Sequence, residues 1–262
     1  MFIPNISLKR RARLDWSNKT WEQEDLEFSP KRKVNNKQSR YIHHNSGGFF
    51  SPKMQRVVGY ESLWGECLFY YLLELDSKTI RYYEQPVNVL ISSFDEKKLE
   101  VNSWTHVPDV LVFRLGYRPH LYQIKGNKDD EENKIISRAC NIYANNRGWI
   151  YNKIFPKENI PDVVISNILL LWNYIKPRKY PEFLIEEILH KVTMIKNIKV
   201  VELAMSFSSK IDFRFVLPAI YHLIAIGKLK VDISQQINSN STVRHGSVLT
   251  QIADSIYMEG ES

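Results

Sequence analysis

HVPDVLVFRLGYRPHLYQIKG, residues 106–126, decides how this chain is read. Val110 to Phe113 and His120 to Lys125 form two apolar runs with strand character, joined by a turn around Leu115, Gly116 and Tyr117. Period-two alternation places Leu121, Gln123 and Lys125 on one face of the second strand and His120, Tyr122 and Ile124 on the other. A lysine sharing a face with leucine needs a counter-ion or a ligand, because an unpaired buried charge is costly. Asp109, at the start of the preceding strand, is placed to supply that charge or to hold a divalent cation.

Upstream, ESLWGECLFYYLLELD begins near Ser62 and repeats Leu63, Cys67, Tyr70 and Leu73/Glu74 at helical spacing. Glu66 follows Leu63 by three residues and precedes Tyr70 by four, so a carboxylate falls on the apolar stripe that faces the sheet. Gly65 is tolerated there at a propensity cost of up to about 1 kcal/mol. Glu66, Asp109, Gln123 and Lys125 then converge from three elements. Two readings follow: a structural ion pair around Lys125, or a site for phosphodiester hydrolysis. In the second, Glu66 and Asp109 hold Mg²⁺ or Mn²⁺, hard cations that take carboxylate, carbonyl and water oxygen. Gln123 offers its amide oxygen to the metal or its hydrogens to phosphate, the Ile124 backbone carbonyl adds an oxygen, and Lys125 positions water or offsets developing charge.

The surrounding pattern is α/β. RYYEQPVNVLIS reads as one strand or two short ones, with Pro86 at an edge, bulge or start, and FDEKKLEVNSW as a charged turn region. NKDDEENKIISRACNIYANN reads as a helix with an acidic first turn, and WIYNKIF as a further strand. Beyond residue 160, VISNILLLWNYI, PEFLIEEILHKVTMI and VVELAMSFS form three helices. Ser209 and Asp212 stand in capping-box spacing before FRFVLPAIYHLIAIG, whose Pro218 demands a kink or a later start, and GKLKVDI adds a short strand. The expected division is a basic extension over 1–60, a mixed-sheet domain over 61–160 and a helical domain with a small wing over 161–262.

The 262 residues carry a formal charge of +7, and the first 60 hold 12 basic and 5 acidic residues, which accounts for the whole excess. LKRRAR from Leu8 and PKRKVNNKQSR from Pro30, interleaved with glycine, serine and aromatics, suit phosphate contacts or a solubilising tail. GGFFSPK supplies a turn ahead of the folded body. Cys67 and Cys140 are the two cysteines, which excludes a disulfide scaffold and fits a reducing compartment; His43 and His44 lack partners at zinc-ligand spacing. The longest apolar run, interrupted by Asp162 and Asn167, falls short of the ~20 residues a membrane helix needs, and neither signal nor anchor is expected.

Pro108-Asp109 followed fourteen residues after the aspartate by Gln123-x-Lys125 looks like the PD-(D/E)xK nuclease motif with glutamine at its middle position. SPKMQRVVGYESLWGECLFYYLLELD, YYEQPVNV, HVPDVLV and YQIK together resemble the TnsA family, the endonuclease subunits of heteromeric cut-and-paste transposases. Glu66 and Glu74, Glu84-Gln85, Asp109, Gln123 and Lys125 carry that resemblance. It implies a restriction-endonuclease-like mixed-sheet core with a C-terminal helical, winged-helix-like domain, in a DNA-associated protein of the bacterial cytoplasm. It also implies Mg²⁺-dependent cleavage of the non-transferred strand at the 5′ ends of a transposon. The implied partners are double-stranded transposon-end DNA, a DDE-type transposase subunit and an ATP-dependent transposition regulator. A stand-alone restriction or repair endonuclease of the same fold, and an inactive DNA-binding scaffold, are the alternatives.

Overall fold

The computed structural model describes residues 16, 18–32, 46–95, 100–125, 132–176 and 178–246. The basic runs 8–13 and 33–40, the His43–His44 pair, the tip of the charged turn at 96–99 and the acidic run 127–131 lie outside them.

The elements run α1 (Glu22–Glu27), β1 (Gly47–Ser51), β2 (Arg56–Tyr60), a π-helical turn (Leu63–Cys67), α2 (Leu68–Leu75), β3 (Thr79–Glu84), β4 (Val89–Asp95), β5 (Glu100–His106), β6 (Val110–Arg114) and β7 (His120–Ile124). Then come α3 (Glu132–Asn146), β8 (Ile150–Ile154), α4 (Pro156–Asn159), α5 (Asp162–Trp172), α6 (Glu182–Ile195), β9 (Ile198–Lys199), α7 (Val200–Met205), α8 (Phe213–Ala225), β10 (Leu229–Lys230) and β11 (Thr242–His245).

The central sheet has the order β3-β6-β7-β8, and β6 and β7 are buried at every position. Strands covered on both faces read as continuous apolar runs, which is why VLVFR and HLYQI lack polar alternation. β3, β6 and β7 pair antiparallel, with Tyr82 opposite Val112 and Leu111 opposite Leu121, and Gly116 takes φ +85° in the connecting turn. β8 pairs parallel to β7, a connection that needs the crossover through α3. On one face α2 sets Phe69 against Tyr122 and Tyr70 against Tyr82, with ring centroids 5.3 and 5.6 Å apart. Trp16, Trp21 and Phe28 pack around Phe113 on the other.

Two local expectations give way. GGFFS is strand β1, and the turn falls after it, within 52–55. Half of the charged segment after β4 is strand β5, paired along its length from His106 opposite Val89 to Glu100 opposite Asp95. RYYEQPVNVLIS is indeed two strands, divided at Gln85-Pro86.

The C-terminal elements follow the order helix, strand, helix, helix, strand, strand from α6 to β11, with a small sheet ordered β10-β11-β9. Leu184, Ile188, Val192, Leu203, Val216, Ile220, Leu223 and Val243 form its core. Asn167, a polar break in an apolar run, donates to the carbonyls of Ile233 and Gln235 and accepts from Ile237 N, stitching α5 to the segment after β10. Asp212, rather than Ser209, caps α8 by accepting from Arg214 N at 2.9 Å, so the helix starts later and contains Pro218. At its end Lys228 N donates to Leu223 O and Gly227 N to Ile224 O, with Gly227 at φ +73°, a Schellman ending.

Candidate active site

Ser62 starts the segment that carries Glu66. Its hydroxyl accepts from Gly65 N at 3.0 Å, and Cys67 N reaches back to Ser62 O at 2.9 Å, one residue further than an α-helix allows. The π-helical turn is thus the entry to α2, and such turns concentrate at functional sites because they re-aim one side chain. A Cβ on Gly65 would lie 3.4 Å from Ile124 Cγ2 and 3.0 Å from the Ser62 hydroxyl. The glycine therefore lets the turn close onto the end of β7, beside Gln123.

Asp109 is pinned through its main chain. Asp109 N donates to Tyr122 O, and Asp109 O accepts from Gln85 N at 2.8 Å and Tyr70 Oη at 3.4 Å. Its carboxylate Oδ2 accepts from Ile124 N at 2.6 Å and from Gln123 Nε2. The other end of that amide, Gln123 Oε1, lies 2.6 Å from His106 Nε2 at the end of β5. Gln85, which ends the β3 connection, is buried at φ +49°, a left-handed conformation that costs a non-glycine residue of order 1 kcal/mol or more. Its side-chain Oε1 has no partner among the described residues.

Glu66 is 7% exposed, and its Oε2 accepts from Glu61 N at 2.7 Å. Burial, then the neighbouring Asp109 charge, pushes its carboxyl up to about 8. Burial likewise pushes Asp109 up to about 7, against the opposing pull of Ile124 N–H, Lys125 and Arg32. Two carboxylates enclosed together resist ionising together. Lys125 is half-buried just beyond β7, with its backbone N on Ile154 O at 2.9 Å. Arg32 is exposed, paired with Glu61 at 2.5 Å, and its charge reaches Glu66, Asp109 and His106.

The structure thus brings Glu66, Asp109, Gln123 and the Ile124 backbone to one strand-end site, with Lys125 adjacent. Residues of one strand point both main-chain groups to the same side, so the Ile124 carbonyl is directed to the side from which Ile124 N meets Asp109. Gln123 presents hydrogens to Asp109 and its oxygen to His106. Among the described residues no group of three or more His, Cys, Asp or Glu side chains forms a metal cage. The donor set nevertheless fits a hard cation: two carboxylates, a main-chain oxygen and an amide that reaches the acid, with enclosed acids whose ionisation a cation would favour.

Glu74 and Glu84 lie elsewhere. Glu74 accepts from Ser51 Oγ and Tyr82 Oη, and Glu84 pairs with both terminal nitrogens of Arg56. Sequence reading assigns no role to His106, and names Gln85 only as part of the Glu84-Gln85 pair that carries the family resemblance. His106 stands three residues before Asp109, a spacing without meaning until β5 is known to be a strand ending there. Among the described residues, no helix is long and apolar enough to cross a membrane. No protein-family model matches the chain, and no curated protein matches it either.

Proposed function

We propose that the chain is a Mg²⁺-dependent DNA endonuclease, working as the subunit of a heteromeric transposase that cuts the non-transferred strand at the transposon's 5′ ends. The observation that carries this reading is the joint anchoring of Asp109 by Gln123 and Ile124 N, with the buried Glu66 carboxyl beside it. The order α2, β3, β6, β7, α3, β8 around one mixed sheet, with β4 and β5 inserted, supports a restriction-endonuclease-like core. The order of α6 to β11 with sheet order β10-β11-β9 supports a winged-helix-like C-terminal domain.

In this reading Glu66, Asp109, the Ile124 carbonyl and the Gln123 amide oxygen hold the cation. When bound, Mg²⁺ polarises the scissile phosphate and lowers the pKa of the attacking water. Lys125, a compact ammonium beside Asp109, orients that water or offsets charge developing on phosphate oxygen. Arg32, on the exposed side of the site, meets the phosphodiester backbone, where cations bind without reading sequence. Duplex DNA at the transposon ends, a DDE-type transposase and an ATP-dependent regulator are the partners.

The test is a reaction of full-length chain, transposase, regulator and transposon-end DNA with Mg²⁺. Asp109→Ala abolishes 5′-strand nicking and leaves assembly and 3′-strand cutting largely intact. Equal 5′ nicking by wild type and variant overturns the reading.

A further inference from the structure

A side-chain amide has two different ends, and at this site they have different consequences. In the structure His106 Nε2 faces Gln123 Oε1, so that nitrogen carries the proton and donates it, while Gln123 Nε2 donates to Asp109 Oδ2. The resulting chain runs His106 Nε2–H to Gln123 oxygen, then Gln123 N–H to the carboxylate, with Ile124 N–H on the same oxygen. A hydrogen-bond donor therefore occupies the side of Gln123 that faces the acids. A cation shared between Asp109 and Gln123 requires the opposite arrangement, with the amide oxygen turned toward the carboxylates.

Turning the amide over places its NH₂ against His106 Nε2, and two donors cannot face each other at that distance. Histidine resolves the conflict by itself. Its neutral ring carries one proton on either nitrogen, so moving that proton from Nε2 to Nδ1 converts Nε2 into an acceptor with no change in net charge. Neither lysine, which only donates, nor a carboxylate, which only accepts, serves both arrangements.

We propose that His106 is a positioning residue whose tautomer selects which end of the Gln123 amide faces the Glu66–Asp109 pair. With Nε2 protonated, the amide hydrogens satisfy Asp109 and the metal-free site is closed by a hydrogen bond. With Nδ1 protonated, the amide oxygen faces the acids and completes the cation's ligands. The role of glutamine at this position is thereby explained: its NH₂ donates to Asp109 without metal and its oxygen meets the cation, whereas an ionised glutamate offers oxygens to the cation but no donor to Asp109. This inference rests on the proposed metal site and adds the residue that sets its orientation.

The direct test is ¹⁵N NMR of the ring nitrogens of His106 in the full-length chain, with Mg²⁺ as the probe. The expected result is the Nε2–H tautomer without metal and the Nδ1–H tautomer at saturation, with no switch in Gln123→Glu, whose carboxylate accepts from Nε2–H throughout. Mg²⁺ that shifts the Asp109 and Ile124 backbone amides while the His106 tautomer stays fixed overturns this inference and leaves the metal site standing. Mg²⁺ that leaves those amides unmoved overturns both. A second measurement follows Mn²⁺ affinity by electron paramagnetic resonance. His106→Ala weakens binding by about tenfold, the lower end of what loss of a ligand-orienting partner costs. His106→Gln, which both donates and accepts, restores most of that loss. In a Gln123→Glu background His106→Ala changes affinity little; an equal loss in both backgrounds assigns His106 a merely structural role and overturns the inference.

Discussion

Two buried acidic clusters share α2 and its surroundings, and they are supplied very differently. At the C-terminal end, Glu74 has Ser51 Oγ and Tyr82 Oη, and Asp76 has Arg114 Nε at 2.6 Å with Thr79 Oγ1 at 2.7 Å. Lys53 adds its ammonium, which donates to the Asp76 and Thr79 carbonyls. At the N-terminal end, Glu66 has one backbone N–H and Asp109 a backbone N–H and an amide, with Lys125 and Arg32 acting on Asp109 through their charges. The first cluster brings its own cations and is complete as folded. The second encloses two acids that accept from N–H groups alone among the described residues, and in the proposed reading a cation meets their charge.

Several substitutions probe that contrast. The largest effect belongs to the complete cluster: Asp76→Ala removes the carboxylate that Arg114, which is 1% exposed, meets through Nε, and lowers stability by about 3–5 kcal/mol. A loss under about 1 kcal/mol in urea unfolding would show that the pair contributes little. Next, Mg²⁺ at a hundredfold excess over Kd raises wild-type stability by about 2.7 kcal/mol, with no rise in Glu66→Gln or Asp109→Asn. Equal stabilisation of all three chains would place the cation elsewhere.

Lys53 of the first cluster and the two acids of the second titrate in opposite senses. In metal-free protein the raised carboxyls make the folded state the better proton binder. Their contribution to stability is complete below their ordinary values of 4.5 and 3.8 and is lost as pH rises toward about 8 and about 7. Glu66→Gln removes much of that loss and gains roughly 1–2 kcal/mol at pH 8. Lys53 behaves inversely: burial lowers its ammonium from 10.5 to about 8, so the unfolded chain binds the proton better and stability rises with pH between those values. Lys53→Met flattens that rise; parallel slopes for wild type and both variants would remove the distinction. The smallest effect is at the surface, where Lys210→Ala breaks the exposed pair with Glu187 and changes stability by about 0.5 kcal/mol or less.

Much of the central sheet was legible because β6 is apolar from Val110 to Phe113 and β7 breaks its apolar run only at His120 and Gln123. Glu66 was legible for the same reason, as a charge on an apolar stripe. The π-helical turn was not, since reading a stripe at 3.6 residues per turn presupposes the α-helix it departs from. β5 was missed because Glu100 to Ser103 and Thr105 are exposed, leaving only Trp104 and His106 partly covered, so burial imposed no alternation on its sequence. With β5 unrecognised, His106 had no location and its proximity to Gln123 no signal. In the C-terminal elements, Ser209 and Asp212 offer the same cap signature three residues apart, and Asp212 is the one whose carboxylate meets a free N–H of the first turn, that of Arg214.

Tyr71 lies flat on Trp172, with ring centroids 3.8 Å apart and planes inclined by 13°, and Phe49 meets both rings edge-on. Tyr71 is five residues past Glu66 along the segment that continues into α2, about 8 Å of helix. The stack therefore packs the end of α5 against the segment that carries the buried Glu66. Truncating either ring of the stack, Tyr71→Ala or Trp172→Ala, therefore removes a packing contact that α5 shares with the segment carrying Glu66.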